Sequence, residues 1–281
     1  MRRPGQLLAD TFSISGRRWR SCAAAGLIYL SAQVALVVLL LIAGDDILMG
    51  ELGEIWDRIS DPNFDPEAPE QSAYFESLEL DLSPVNFVPI LLGIGAVWVA
   101  SNLLQAAVTR VALSDLRSRT LTASDALRQA LRRVPRLLGL DLQVVAIVLV
   151  AAIVVVVGGF VTPLLLIPLV PAFLVGAVYF FVVMSLAFAF ASVGPAAPSL
   201  RYGARLVRGR FWGTFGRMLL VFVVLSAVTL AVGLVFTLAG SSTPTLQLVS
   251  QLVQTVVGTA ITVVGIVAVA IIYHDLGGES D

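Results

Sequence analysis

Six apolar runs, each of at least 21 residues, constrain what this chain can fold into more than any other feature: residues 21–43, 85–111, 137–157, 163–191, 215–239 and 246–272. At a rise of about 1.5 Å per residue, roughly 20 residues cross a hydrocarbon core of about 30 Å. No water is present there, so each backbone N–H and C=O must find its partner within the same segment, and a single run does that as a helix. Hydrophobic residues make up 58% of the 281 positions, and the mean hydropathy is +0.92. A soluble domain has neither property. The expected class is an all-α integral membrane protein with six transmembrane helices, forming one membrane domain over residues 1–281.

The connections between the runs alternate in charge. Net charge is −1, yet all 18 basic residues are arginine and they are unevenly placed. Residues 1–20 hold Arg2, Arg3, Arg17, Arg18 and Arg20 against Asp10. Seven arginines fall between Arg110 and Arg136, and five between Arg201 and Arg217. Residues 44–84 are the opposite, with twelve acids, four prolines and the single arginine Arg58. With six spans, every arginine except Arg58 lies on one side. Because cytoplasmic connections carry the Lys/Arg excess, both termini are expected in the cytoplasm of a bacterial plasma membrane, with the acidic loop outside. The N-terminus does not read as a secretory signal, since its apolar run starts only after Arg20 and Ala23 to Ala25 precede that run.

Each basic connection reads as an amphipathic helix that lies on the membrane surface and feeds the next span. In the stretch from Ser199 to Met218, Arg201, Arg205 and Arg208 share one face, and Leu200, Ala204, Val207 and Phe211 share another. The same i, i+4, i+7, i+11 spacing recurs at Leu8, Phe12, Ser15, Trp19 and at Ala123, Leu127, Ala130, Val134. In that alignment Arg18, Arg133 and Arg210 fall in register. Thr122-x-x-Asp125 reads as an N-capping box for the second copy. Ser114-Asp115-Leu116 and His274-Asp275-Leu276 match as unit ends, and the middle unit has Gly194-Pro195 instead. The chain thus divides into three parallel units, 1–111, 112–193 and 194–281, each made of surface helix, span, outer turn and span. Gly158-Gly159 and Gly240 to Pro244 are expected as outer turns.

Chemistry-bearing residues are few. One cysteine, Cys22, excludes an intrachain disulfide, and one histidine, His274, excludes a multi-histidine metal site. His274 beside Asp275 has no companion nucleophile, so it reads as an interfacial histidine at a span end. Asp61-Pro-Asn63-Phe-Asp65 alternates oxygen ligands but lacks the glycine and the closing glutamate of an EF-hand loop. Gly93-Ile-Gly95 sits inside an apolar span, with no strand before it, and is not a nucleotide loop. No catalytic, cofactor-binding or metal-ligating residue is assigned, and no nucleic-acid partner is expected. Two sets remain. Arg18, Arg133, Arg201, Arg205, Arg208 and Arg210 are candidates for anionic lipid headgroups, at about 1 kcal/mol per basic residue near the surface. Asn102 and Gln105 of the second span, with Gln247, Gln251 and Gln254 of the sixth, are polar-face candidates, either lining a path or packing between helices. Asp141 and Arg110 are expected close to the cytoplasmic interface.

The segments LLADTFSISGRRWR (7–20), LTASDALRQALRRVPRLLG (121–139), SLRYGARLVRGRFWGTFG (199–216) and AIIYHDL (270–276) together resemble the membrane-domain family named after glycerophosphoryl diester phosphodiesterase. The resemblance covers most of the chain outside the acidic loop, and its most specific parts are Arg208 to Trp212 and Tyr273 to Asp275. It implies a stand-alone, actinobacterial-type membrane protein. In relatives fused to a phosphodiesterase, the catalytic histidines and acids belong to a barrel of about 250 residues, for which this chain has no room, so no catalytic residue carries over. The chain departs from the family where a glutamate is expected at the end of the fourth span, with Ser192-Val-Gly-Pro195 in its place.

Two functions follow as expectations. One is a non-catalytic scaffold, anchor or accessory subunit for envelope or lipid-related processes. Its partners would be the anionic inner leaflet and a membrane or periplasmic protein at the acidic loop. The other is a permease or channel-like protein for a small solute or lipid.

Overall fold

The computed structural model describes residues 2–46, 84–161, 166–194, 200–238 and 244–277. Among these residues the chain is helical, with no strand. It is an all-α membrane protein, with six helices long and apolar enough to cross a bilayer. Nine helices follow in order among the described residues: α1 (Pro4–Arg17), α2 (Trp19–Asp46), α3 (Pro84–Leu116), α4 (Ala123–Leu131), α5 (Val134–Val161), α6 (Leu166–Val193), α7 (Leu200–Val207), α8 (Phe211–Leu238) and α9 (Pro244–Asp275). The short helices α1, α4 and α7 each precede a long one.

The boundaries have local causes. Proline opens α1, α3 and α9, where its missing N–H would find no partner anyway. Gln6 adds a cap to α1 by accepting from the Arg3 N–H at 3.2 Å. Thr122 caps α4, its hydroxyl oxygen accepting from the Asp125 N–H at 3.2 Å. The expected box closes differently from the standard form, since the Thr122 hydroxyl also donates to the Asp125 carboxylate at 2.6 Å. Gly209 separates α7 from α8 at φ +78, a conformation that a side chain disfavours.

One outer turn is not where glycine placed it. Helix α5 runs through Gly158-Gly159 to Val161, because a membrane helix keeps its own hydrogen bonds and tolerates glycine far better than a soluble one. The acidic loop beyond Asp46, including the Asp61 to Asp65 alternation, lies outside the described residues, as does the turn at residues 239–243.

The chain divides into two compact units. One comprises Ser31–Ala100, the other Met1–Leu30 with Ser101–Asp281. In the first, α2 and α3 meet at Gly93, where an added Cβ would lie 2.8 Å from Leu36 Cδ1 and 3.1 Å from Leu39 Cδ1. Glycine there lets the two helices approach closely.

The second unit holds the core. Its centre is built from the ends of α3, α6 and α9, including Leu104, Val108, Val111, Val182, Leu186, Val267, Ile271 and Tyr273. Helix α9 packs on α6, α8 and α1, and α6 also packs on α5 and α7. Away from that centre the long helices turn apolar residues outward, among them Leu149, Val150 and Ile153 of α5 and Phe222, Leu230 and Val235 of α8. In a bilayer such side chains meet lipid, and their exposure to the surroundings costs nothing.

The expected apolar face is the packed one in α4 and α7, where Ala130 and Val207 are buried and Leu127, Leu200 and Ala204 pack against the core; in α1 the packed face is rotated from it. Phe12 and Trp19 are 49% and 59% exposed, and the buried side of α1 is Leu7, Thr11 and Ile14. In α4 it is Ala126 and Ala130, and in α7 Gly203 and Val207. A Cβ on Gly203 would collide with the Val183 carbonyl oxygen and lie 3.2 Å from the Ala187 nitrogen, so α7 lies directly on the α6 backbone. Next to it, Tyr202 stacks on Phe190 with ring centroids 3.8 Å apart. With no hydrophobic drive between helices in lipid, small residues at the contact set the packing.

Candidate functional site

The chemistry of the second unit gathers where α3, α6 and α9 end. Each of these helices leaves carbonyl groups without a partner there and carries the negative end of its dipole. At each end an arginine from elsewhere in the sequence is in place.

At the end of α3, Asp115 accepts from Arg18 Nε at 2.6 Å and from Arg17 Nη2 at 2.9 Å. At the end of α6, Arg133 Nη1 donates to the Gly194 carbonyl at 2.7 Å. At the end of α9, Arg2 pairs with Asp275 through its side chain, and its backbone N–H donates to Asp275 Oδ2 at 2.8 Å. Arg2 Nε also pairs with Asp10 at 2.8 Å. Arg133 stands in the corner between α4 and α5, where burial and the charge of Arg136 lower its pKa from the ordinary arginine value.

Next to this corner Arg110 of α3 donates from Nη1 to Gln129 Oε1 of α4 at 2.6 Å. Its Nε is buried and has no hydrogen-bond partner among the described residues.

The six sequence-predicted arginines therefore separate. Arg18 and Arg133 are committed to helix ends. Arg201, Arg205, Arg208 and Arg210 are exposed. Arg210 was expected in register with Arg18 and Arg133, yet the arginine at the end of α9 is Arg2. Aromatic rings crowd the start of α8: Phe211 lies 5.4 Å from Tyr179 and 5.9 Å from Phe215 between centroids, and Trp212 is 78% exposed.

The polar-face candidates also part company. Asn102 is buried, and its amide donates to Asp141 Oδ2 of α5 at 2.6 Å. Gln105 is half-buried, and Gln254 is exposed. The side chains of Gln247 and Gln251 lie outside the described residues.

Comparison of the chain with family models, with curated proteins and with solved structures returned no match.

Sequence reasoning missed Arg2, Arg110, Gln129, Asp115 and Asp141 as partners. Asp115 and Asp275 carried a signal, because the matched Asp-Leu endings placed an acid at corresponding helix ends. Arg110 and Gln129 carried none, since their approach depends on how α4 folds back along α3.

Proposed function

We propose that this chain is a non-catalytic membrane scaffold, oriented with its arginine-rich end in the cytoplasm of a bacterial plasma membrane and facing the anionic inner leaflet. The observation that carries this reading is the set of arginine-held helix ends. Arg18, Arg133 and Arg2 fasten α3, α6 and α9, and α7 with the turn after it exposes Arg201, Arg205 and Arg208. A firm core with outward cations suits a platform that meets lipid headgroups on its basic side. A protein partner at the acidic loop, residues 44–84, belongs to the same reading, as does membership of the membrane-domain family that its arginine segments resemble.

Burial supports three parallel units. The aligned positions Thr11, Ala126 and Gly203 are all buried, as are Cys22, Leu137 and Thr214. Counting back from the matched Asp115 and Asp275, Ala112 and Ile272 are likewise buried, and so are Val108 and Ala268. Corresponding positions thus play corresponding packing roles, with α1, α4 and α7 as interfacial elbows.

The test is lipid retention. Full-length protein carrying Arg201→Gln, Arg205→Gln and Arg208→Gln should co-purify with less anionic phospholipid than the wild type. Unchanged lipid content would count against the platform.

The Asn102–Asp141 pair favours one second reading, a permease with polar residues along its second and sixth spans. Cysteines placed at 247, 251 and 254 would react with a membrane-impermeant thiol reagent if they lined a path. Protection at all three would sink it.

A further inference from the structure

We propose that Arg110 and Arg133, with Gln129 orienting the first, form a binding site for a phosphate group, supplied either by the phosphodiester of an anionic phospholipid or by the free anion. The inference deepens the platform reading and in part rests on it.

Two observations carry it. First, Gln129, which holds Arg110 Nη1, lies four residues before Arg133, so both guanidiniums belong to one corner, and neither forms an ion pair among the described residues. Every acid of this unit that the structure describes already has another donor. Asp10 and Asp275 hold Arg2, Asp115 holds Arg17 and Arg18, Asp125 holds the Thr122 hydroxyl and Asp141 holds Asn102. A pair of like charges kept together without a counter-charge calls for an anion from outside. Second, Arg110 Nε is a buried donor with no hydrogen-bond partner among the described residues, while Gln129 fixes Nη1 of the same guanidinium. Buried donors without partners are rare, because the desolvation they suffer is not returned.

The chemistry selects phosphate. A guanidinium presents a planar fork of donors that matches two oxygens of a phosphate. Arg110 has one arm held by an amide oxygen and leaves Nε for the ligand. It lies six residues before the end of α3 at Leu116, about 9 Å along the helix. That is a depth reached by the headgroup layer of a leaflet lying against the basic elbows.

Native mass spectrometry of the full chain in neutral detergent tests this, with phosphatidylglycerol, phosphatidylcholine and inorganic phosphate as separate probes. Wild-type protein should retain phosphatidylglycerol over phosphatidylcholine. Arg110→Gln should weaken that retention roughly 10-fold. Arg110→Lys, which keeps the charge and the fold but not the fork, should fall between them. Binding of inorganic phosphate that is lost in Arg110→Gln, without lipid selectivity, would assign the site to the free anion. Equal binding of every probe by wild type and both variants overturns the site. If the elbow triple variant loses lipid while the Arg110 variants do not, the site fails and the platform stands. The reverse pattern sinks the platform and leaves the site.

Discussion

Arg133 Nη1 donates to the carbonyl oxygen of Gly194 at 2.7 Å, joining the corner before α5 to the end of α6. The bond meets an acceptor that the helix itself leaves open and brings a positive charge to the negative end of its dipole. Arg133→Leu removes both and should cost about 1–3 kcal/mol. Thermal unfolding in detergent, read by thiol labelling of the buried Cys22, measures it. Arg133→Lys should recover part of the loss.

Asp115 and Asp10 offer an internal comparison. The Asp115 side chain is 9% exposed and serves two arginines, whereas Asp10 is 45% exposed and shares Arg2 with Asp275. Asp115→Asn should lower stability by about 1–3 kcal/mol, and Asp10→Asn by less than about 1 kcal/mol. Equal shifts in the two melting curves would contradict the ranking.

Gly203→Ala tests the contact between α7 and α6. The new methyl group would meet the Val183 carbonyl, so α7 must lift away, at roughly 1–3 kcal/mol by the usual cost of overpacking. At Gly5 an added Cβ meets nothing within 4 Å, and alanine there should be neutral or slightly stabilising. The two variants, melted side by side, separate close packing from helix propensity.

Asn102→Leu should be more harmful than its size change implies, because it removes the amide that donates to Asp141. Hydrogen bonds between membrane helices contribute on the order of 1 kcal/mol, and a carboxylate deprived of a donor adds to the loss. Pairing it with Asp141→Leu should restore part of the stability, since both polar groups are then gone. A double variant no better than the sum of the singles would show the pair to be uncoupled.

The spans were legible from the sequence because bilayer thickness and backbone hydrogen bonding leave few choices. Apolar runs at 137–157 and 215–239 became the apolar windows Val134–Val157 and Phe211–Val235. The short helices were legible as helices, and in α4 and α7 so were the buried Ala130 and Val207, but the rest of the contact was not. Periodicity selects large apolar side chains such as Phe12 and Trp19, whereas the contact is made by small ones such as Thr11, Ala126 and Gly203. Arginine register grouped Arg18 with Arg133, and both meet the end of a long helix, one at the Asp115 carboxylate and one at the Gly194 carbonyl. It could not foresee that Arg2 would take the end of α9, because nothing local to residues 2 and 275 signals their meeting. Arg110 looked like one basic residue among seven until α4 folded back and set Gln129 beside it.

The bond from the Arg2 backbone to Asp275 spans 273 positions, and this has a consequence for biogenesis. During synthesis Arg2 emerges long before Asp275 exists, so α1 must wait while five further spans enter the bilayer. Its docking against α9 is therefore a late step that tells a finished protein from an unfinished one. Chains halted before the sixth span would keep α1 undocked and Leu7, Thr11 and Ile14 uncovered, giving membrane quality control a surface to recognise.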